Sequence, residues 1–140
     1  MLRHSTTVTP EDIRPLAADV DPTAPGYGEH LGFDRILRRC GLAWMAFLDE
    51  VGGFGDGVIV PRLEVDYLRE VHVGTLDVDV TLLSVGRTSF RLRLDVSQDG
   101  EQAAAVEVVL VQFGYVERTP IPLSPSQRAA LEQHLAAPVT

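Results

Sequence analysis

The sequence predicts an α+β domain in which one long helix lies across a curved antiparallel sheet. Three observations carry this expectation. One stretch of helical periodicity stands early in the chain, at residues 33 to 51. Four stretches of strand character follow it with no helix between them, the pattern of α+β rather than alternating α/β architecture. The 140 residues are enough for one domain with a core and too few for two ordinary ones, so a single domain over 1–140 is expected.

The elements follow in chain order. The first ten residues, MLRHSTTVTP, are expected to be loosely held. DIRPLAAD, residues 12 to 19, is a weak strand candidate, with Pro15 arguing for an edge position. A loop broken by Pro22, Pro25, Gly26 and Gly28 comes next. Then the period changes. Apolar residues fall at Phe33, Ile36, Leu37, Cys40, Ala43, Trp44, Phe47, Leu48 and Val51, which is a helical stripe. The opposite face carries Asp34, Arg35, Arg38, Arg39, Asp49 and Glu50. A helix of about 17 residues, about 25 Å long, is predicted. GGFGDG, residues 52 to 57, ends it.

VIVPRLEVDYL, residues 58 to 68, reads as a strand in which Pro61 marks a bulge or an edge. In TLDVDVTLLSV, residues 75 to 85, Leu76, Val78, Val80 and Leu82 face one way, and Asp77, Asp79 and Thr81 the other. RTSFRLRLDV repeats this with Phe90, Leu92, Leu94 and Val96, after a tight turn at Gly86. Asp99-Gly100 is a hairpin signal. AAAVEVVLVQFGYV is apolar on both faces beyond Val106, so cover on both sides is expected. SPSQRAALEQHL predicts a short C-terminal helix over 124–136, with Ser124 or Ser126 as N-cap.

Composition narrows the function classes. The formal net charge is −8 and no basic stripe is visible, so no nucleic-acid partner is expected. A single cysteine, Cys40, excludes an internal disulfide and a multi-cysteine metal site. His, Cys and acidic residues never cluster at metal-ligand spacing, so no metal is expected. No stretch approaches the roughly 18 to 20 apolar residues of a membrane span. The N-terminal residues do not read as a signal peptide, so a cytoplasmic location is expected.

Five segments in order resemble the hotdog-fold acyl-CoA thioesterases of the 4-hydroxybenzoyl-CoA thioesterase type. DVDP through Gly26 resembles that family's acidic loop, D-x-D-x-x-G. FDRILRRC, residues 33 to 40, resembles its helix start. LEVDYLREVHVGTLDVDV, residues 63 to 80, resembles its strand ending in Tyr-Leu-Arg, a short loop and a glycine. VGRTSFRLRLDV and PIPLSPSQRAAL follow in kind and order. The likeness covers roughly residues 13 to 131. It implies a long central helix wrapped by a curved antiparallel sheet of about five strands. It implies hydrolysis of an acyl-CoA thioester, with coenzyme A entering only as part of the substrate and no other cofactor. It also implies a homodimer or dimer of dimers with sites at subunit interfaces.

Residue by residue, the resemblance makes Asp21 the match for the family's catalytic aspartate and Gly26 the match for its loop glycine. Two departures stand out. Four residues, Pro22, Thr23, Ala24 and Pro25, separate Asp21 from Gly26 where the family has two. The family's His-Val-Asn-like segment is replaced by Tyr27, Gly28, Glu29 and His30.

Thioester hydrolysis needs a base or nucleophile and donors for a developing oxyanion. A carboxylate can attack the carbonyl carbon or activate water. The unpaired N–H groups of a helix N-terminus can polarise the thioester oxygen. Asp21 is therefore the expected catalytic carboxylate, and the N–H groups around Gly28 to Leu31 the expected donors. Glu29 is the alternative carboxylate if the loop insertion displaces Asp21. His30 is either a polar helix-start residue or a site residue. Asp19 reads as a loop hydrogen-bonder, Asp49 as solvated and Cys40 as a packed thiol. Tyr67 is expected at the acyl pocket. Arg69 and Arg87 are candidates for the phosphates of coenzyme A, since guanidinium forks suit phosphate.

Two other functions fit a hotdog chain. One is a non-catalytic acyl-binding or assembly protein. The other is an enoyl-CoA hydratase, whose D-x-N-P-x-H loop DVDP begins to match, although His30 comes too late for that spacing.

Overall fold

A computed structural model describes residues 1–13, 30–54 and 57–135. Its elements are β1 (Leu2–Val8), α1 (Pro10–Ile13), α2 (Phe33–Val51), β2 (Val58–Tyr67), β3 (Gly74–Val85), β4 (Ser89–Gln98), β5 (Glu101–Gly114), the two-residue β6 (Thr119–Pro120) and α3 (Pro125–Glu132). The strands lie in the order β1-β3-β4-β5-β2, all pairs antiparallel, and β6 pairs the end of β5. This is the predicted α+β arrangement of one long helix against one antiparallel sheet.

The period-two pattern of β3 and β4 does what it predicts. Leu76, Val78, Val80 and Leu82, with Phe90, Leu92, Leu94 and Val96, are buried, and they meet Ile36, Cys40, Ala43, Phe47 and Leu48 of α2 in one core. Burying each such side chain contributes roughly 1.5–3 kcal/mol, which is why one amphipathic helix suffices to cover the sheet. The α2 stripe runs for 19 residues. It ends where Gly52, at φ 78°, turns the chain and donates its N–H to Leu48 O. Asp99 and Gly100 both hold positive φ, 54° and 78°, the demand of the two-residue hairpin joining β4 to β5. The ladder of β2 shifts register between Ile59 and Arg62, so Pro61 sits in a bulge on an edge strand. Val109 and Val111, on the second face of β5, are half-buried, so the two-sided cover expected there is only partial.

Three expectations are corrected. Residues 1–10 are not loosely held: Leu2–Val8 pairs along β3 as an edge strand. Arg3 Nε donates to Asp79 Oδ1 at 2.8 Å and Ser5 Oγ to Asp77 Oδ1 at 2.6 Å, so the polar face of β3 binds the polar face of β1. The hydrogen bond from Arg3 also holds the Asp79 carboxyl below the usual carboxylate range. The strand candidate at 12–19 begins instead in the single helical turn Pro10–Ile13, started by Thr9 N–H donating to Asp12 Oδ2. Its remainder lies outside the described residues. The C-terminal helix expected over 124–136 is shorter, Pro125–Glu132, because Leu135 has already left it to bridge Leu82.

Candidate active site

The N-terminus of α2 is open. Its N-cap is Gly32, in extended conformation, and no side chain caps it. Arg35 N–H and Ile36 N–H both donate to Gly32 O at 3.1 Å. The N–H groups of Gly32, Phe33 and Asp34 precede these bonds and have no acceptor inside the helix, and they sit at the positive end of its dipole. A Cβ on residue 32 would stand 2.8 Å from Asp34 Oδ1, so glycine keeps this end unobstructed.

The donors expected at Gly28 to Leu31 shift accordingly. Leu31 N–H is committed to Val71 O at 2.7 Å, and among the described residues the donors without an acceptor begin one residue later. The helix starts at Phe33 because the periodic stripe starts there, and Leu31 belongs to the preceding connection.

Residues 68–73 form the opposite wall. Leu68 N–H and Arg69 N–H both donate to Ala103 O, at 2.8 and 3.1 Å. Gln98 grips His72 twice: His72 N–H donates to Gln98 Oε1 at 2.8 Å, and Gln98 Nε2 donates to His72 O at 2.7 Å. Val71 is fully buried beneath. The Tyr67 hydroxyl donates to Phe33 O at 3.2 Å, and the two rings meet edge to face at 6.2 Å. Partial burial, then the nearby Cys40 and Asp34, push the Tyr67 hydroxyl above its ordinary pKa, so it stays a donor.

Between these walls lies a pocket of about 420 Å³, lined by residues 30–33 and Ile36 on one side and 67–70 on the other. It holds four sequence candidates: His30, Leu31, Tyr67 and Arg69. The Arg69 guanidinium also pairs with Glu101 at 3.0 Å. Arg87 is not brought there. It lies in the turn after β3, and its carbonyl accepts Leu123 N–H at 2.9 Å beside α3. The pocket borders the end of β2 and the loop that leads into β3, whereas Arg87 follows the other end of β3. Asp21, Gly26, Tyr27, Gly28 and Glu29 lie outside the described residues. Cys40 is fully buried and its thiol is pushed up to about 12, as a packed side chain requires.

A larger hollow of about 1100 Å³ runs along the other side of α2. Two of its three arginines are engaged. Arg39 pairs with Asp12 at 3.1 Å, and Arg35 donates to the carbonyls of Glu11 and Asp12. The smaller pocket has the stronger claim as the site, because Gly32 and Phe33 of the uncapped helix end line it. Two residues that sequence reading passed over matter here. Gly32 falls just before the periodic stripe, and nothing in the sequence singles it out. Glu70 lay inside the REVHVG run, and nothing local marked its side chain as facing His30.

The fold and this uncapped helix end define a class, that of thioester hydrolases. A family model described as the thioesterase-like superfamily matches residues 15–131, and the chain belongs to that family. A search of curated proteins returns no significant match. Among solved structures, a thioesterase from Thermus thermophilus complexed with coenzyme A and Zn is 27% identical. It covers 98% of this chain and 96% of its own, with a TM-score of 0.77. A thioesterase superfamily protein from Jannaschia sp. CCS1 is 22% identical over 97% of this chain and 94% of its own, at TM-score 0.80. A 1,4-dihydroxy-2-naphthoyl-CoA thioesterase from Synechocystis is 18% identical over 92% and 93%, at 0.72. The hotdog expectation is confirmed in fold and family. No described helix is long and apolar enough to cross a membrane.

Proposed function

We propose that the chain hydrolyses an acyl-CoA thioester at the N-terminus of α2. The observation that carries this reading is the uncapped helix end opening into a pocket of about 420 Å³. Coenzyme A bound to the similar Thermus thermophilus thioesterase supports the choice of carrier. The thioester oxygen meets the free N–H groups of Gly32, Phe33 and Asp34. Each such donor contributes about 10²–10³ in rate in other acyl-transfer enzymes. Asp21, matched by sequence to the family's acid, attacks the carbonyl carbon or takes the proton from an attacking water. The C–S bond then breaks: after direct attack, water hydrolyses the mixed anhydride and supplies the proton to the leaving thiolate, and after water attack the proton held by Asp21 passes to the thiolate, so that free acid and thiol leave. Tyr67 bounds the acyl group, and Arg69 at the rim suits a phosphate.

Release of free thiol from a panel of acyl-CoAs tests the reading. Wild type turns over at least one member, and Asp21→Asn loses about 10²–10⁴ of that rate, the range of a removed general base. Equal inertness of both proteins across the panel sinks the claim.

The site is completed by a second copy. Leu63, Tyr67, Leu68 and Phe33 are 39%, 44%, 55% and 65% exposed beside the open edge of β2. An exposed apolar edge strand favours pairing with another strand. Sedimentation equilibrium is expected to give twice the chain mass or a multiple of it. A monomer at the concentrations used for assay would refute the interface.

A further inference from the structure

One carboxylate at the pocket has no role in the reaction above. Glu70 lines the pocket wall and stands between two histidines. Its Oε1 lies 3.7 Å from His30 Nδ1 and its Oε2 lies 3.7 Å from His72 Nε2. The His30 side chain is 40% exposed, yet its Nδ1 is buried and has no hydrogen-bond partner. The ring therefore turns Nδ1 toward the protein and its other edge toward the pocket. A buried polar nitrogen of this kind ordinarily has a partner. Glu70 Oε1 is one short adjustment from being it.

The surrounding backbone makes the contact consequential. His30 is followed at once by Leu31, whose N–H bonds Val71 O at 2.7 Å, and then by Gly32, the open N-cap. Glu70 is held by the bonds of Leu68 and Arg69 to Ala103 and of His72 to Gln98. An isolated exposed pair contributes little. Here one carboxylate, carried on a backbone segment held by those bonds, faces both the segment leading into α2 and the loop opposite. We propose that Glu70 is a positioning residue: through His30 it locks the start of α2 against residues 68–73, and so aims the free N–H groups into the pocket. This role rests on the thioester site described above.

The lock is stronger when the imidazoles carry charge, which makes it pH-dependent. Other charged groups around it are Arg69, paired with Glu101 of β5, and Asp99 in the turn before β5.

The experiment compares wild type, Glu70→Gln and Glu70→Asp in two ways: amide hydrogen exchange at Leu31, and acyl-CoA hydrolysis between about pH 5 and 8, where imidazole changes charge. Glu70→Gln is expected to speed Leu31 exchange and lower kcat about tenfold, within the cost of misplacing a catalytic group, with KM little changed. The gap to wild type narrows as pH rises, and Glu70→Asp recovers part of both losses. Leu31 exchange equal in wild type and Glu70→Gln overturns the lock. Faster exchange with unchanged kcat overturns its service to the site. A kcat loss that is the same at every pH and is accompanied by a lower melting temperature assigns Glu70 to the fold alone. If wild type hydrolyses nothing, the thioesterase reading and the proposed positioning role fall together; exchange at Leu31 then decides whether the Glu70–His30 contact exists at all.

Discussion

The two main helices of this chain begin in opposite ways. At α3 the chain's own side chains close the helix end. Ser124 Oγ accepts Gln127 N–H at 3.1 Å, the Gln127 side chain returns a bond to Ser124 N–H at 2.8 Å, and Pro125 follows at the first helical position. Gln127 also reaches back to Gly53 O at 2.7 Å, tying this end to the end of α2. At α2 none of these devices is used. Gly32 offers no side chain, and the first N–H groups are left for something outside the helix. A helix end that serves only stability is closed by its own sequence. One left open beside a pocket costs some stability and keeps its donors for a ligand.

Substitutions can break or sharpen this contrast. Gly32→Ser should have the largest effect. A serine at the N-cap would supply an oxygen for the Asp34 N–H, so hydrolysis is expected to fall roughly 10²-fold, the cost of losing one oxyanion donor. Folding stability should change by only a few tenths of a kcal/mol, because serine caps slightly better than glycine. Asp34 must rotate to admit the new Cβ, which its exposed side chain can do. Kinetics together with urea denaturation check both halves. If the rate is unaffected, the open end is not the oxyanion site.

Ser124→Ala should reverse the pattern, losing about 1 kcal/mol of stability and leaving kcat in place. Ser124→Gly should cost least, a few tenths of a kcal/mol, since glycine is nearly as good at an N-cap. That small value would show that glycine at α2 is thermodynamically close to neutral. Its presence there would then be a matter of access rather than of helix strength.

The reading of the chain succeeded where a repeating pattern met one buried face. The stripe from Phe33 to Val51 and the alternation through Leu76 to Leu82 and Phe90 to Val96 each specify an element, because a wrong period would expose the whole apolar set. It failed at the N-terminus. Leu2, His4, Thr6 and Val8 do alternate with Arg3, Ser5 and Thr7, but polar groups on both faces leave little hydrophobic contrast. The backbone ladder along β3, with Arg3 and Ser5 pairing to Asp79 and Asp77, makes the strand. Strand order was equally out of reach. β2 follows the helix directly in sequence, yet it joins the sheet beside β5 at the far edge from β1.

The sequence by itself determined the fold class, the family and the helix that carries the site, since these depend on periodicity and on motifs read along the chain. Tertiary structure alone decided which donors are free, because Leu31 is disqualified by a carbonyl forty residues away at Val71. It also decided that Arg87 is remote from the pocket within the chain, and that Glu70 faces His30. Those facts arise where the 68–73 loop, held by Ala103 and Gln98, is brought against the start of α2. No local pattern encodes such a meeting, because hydrogen bonds across the fold depend on where two distant segments come to rest.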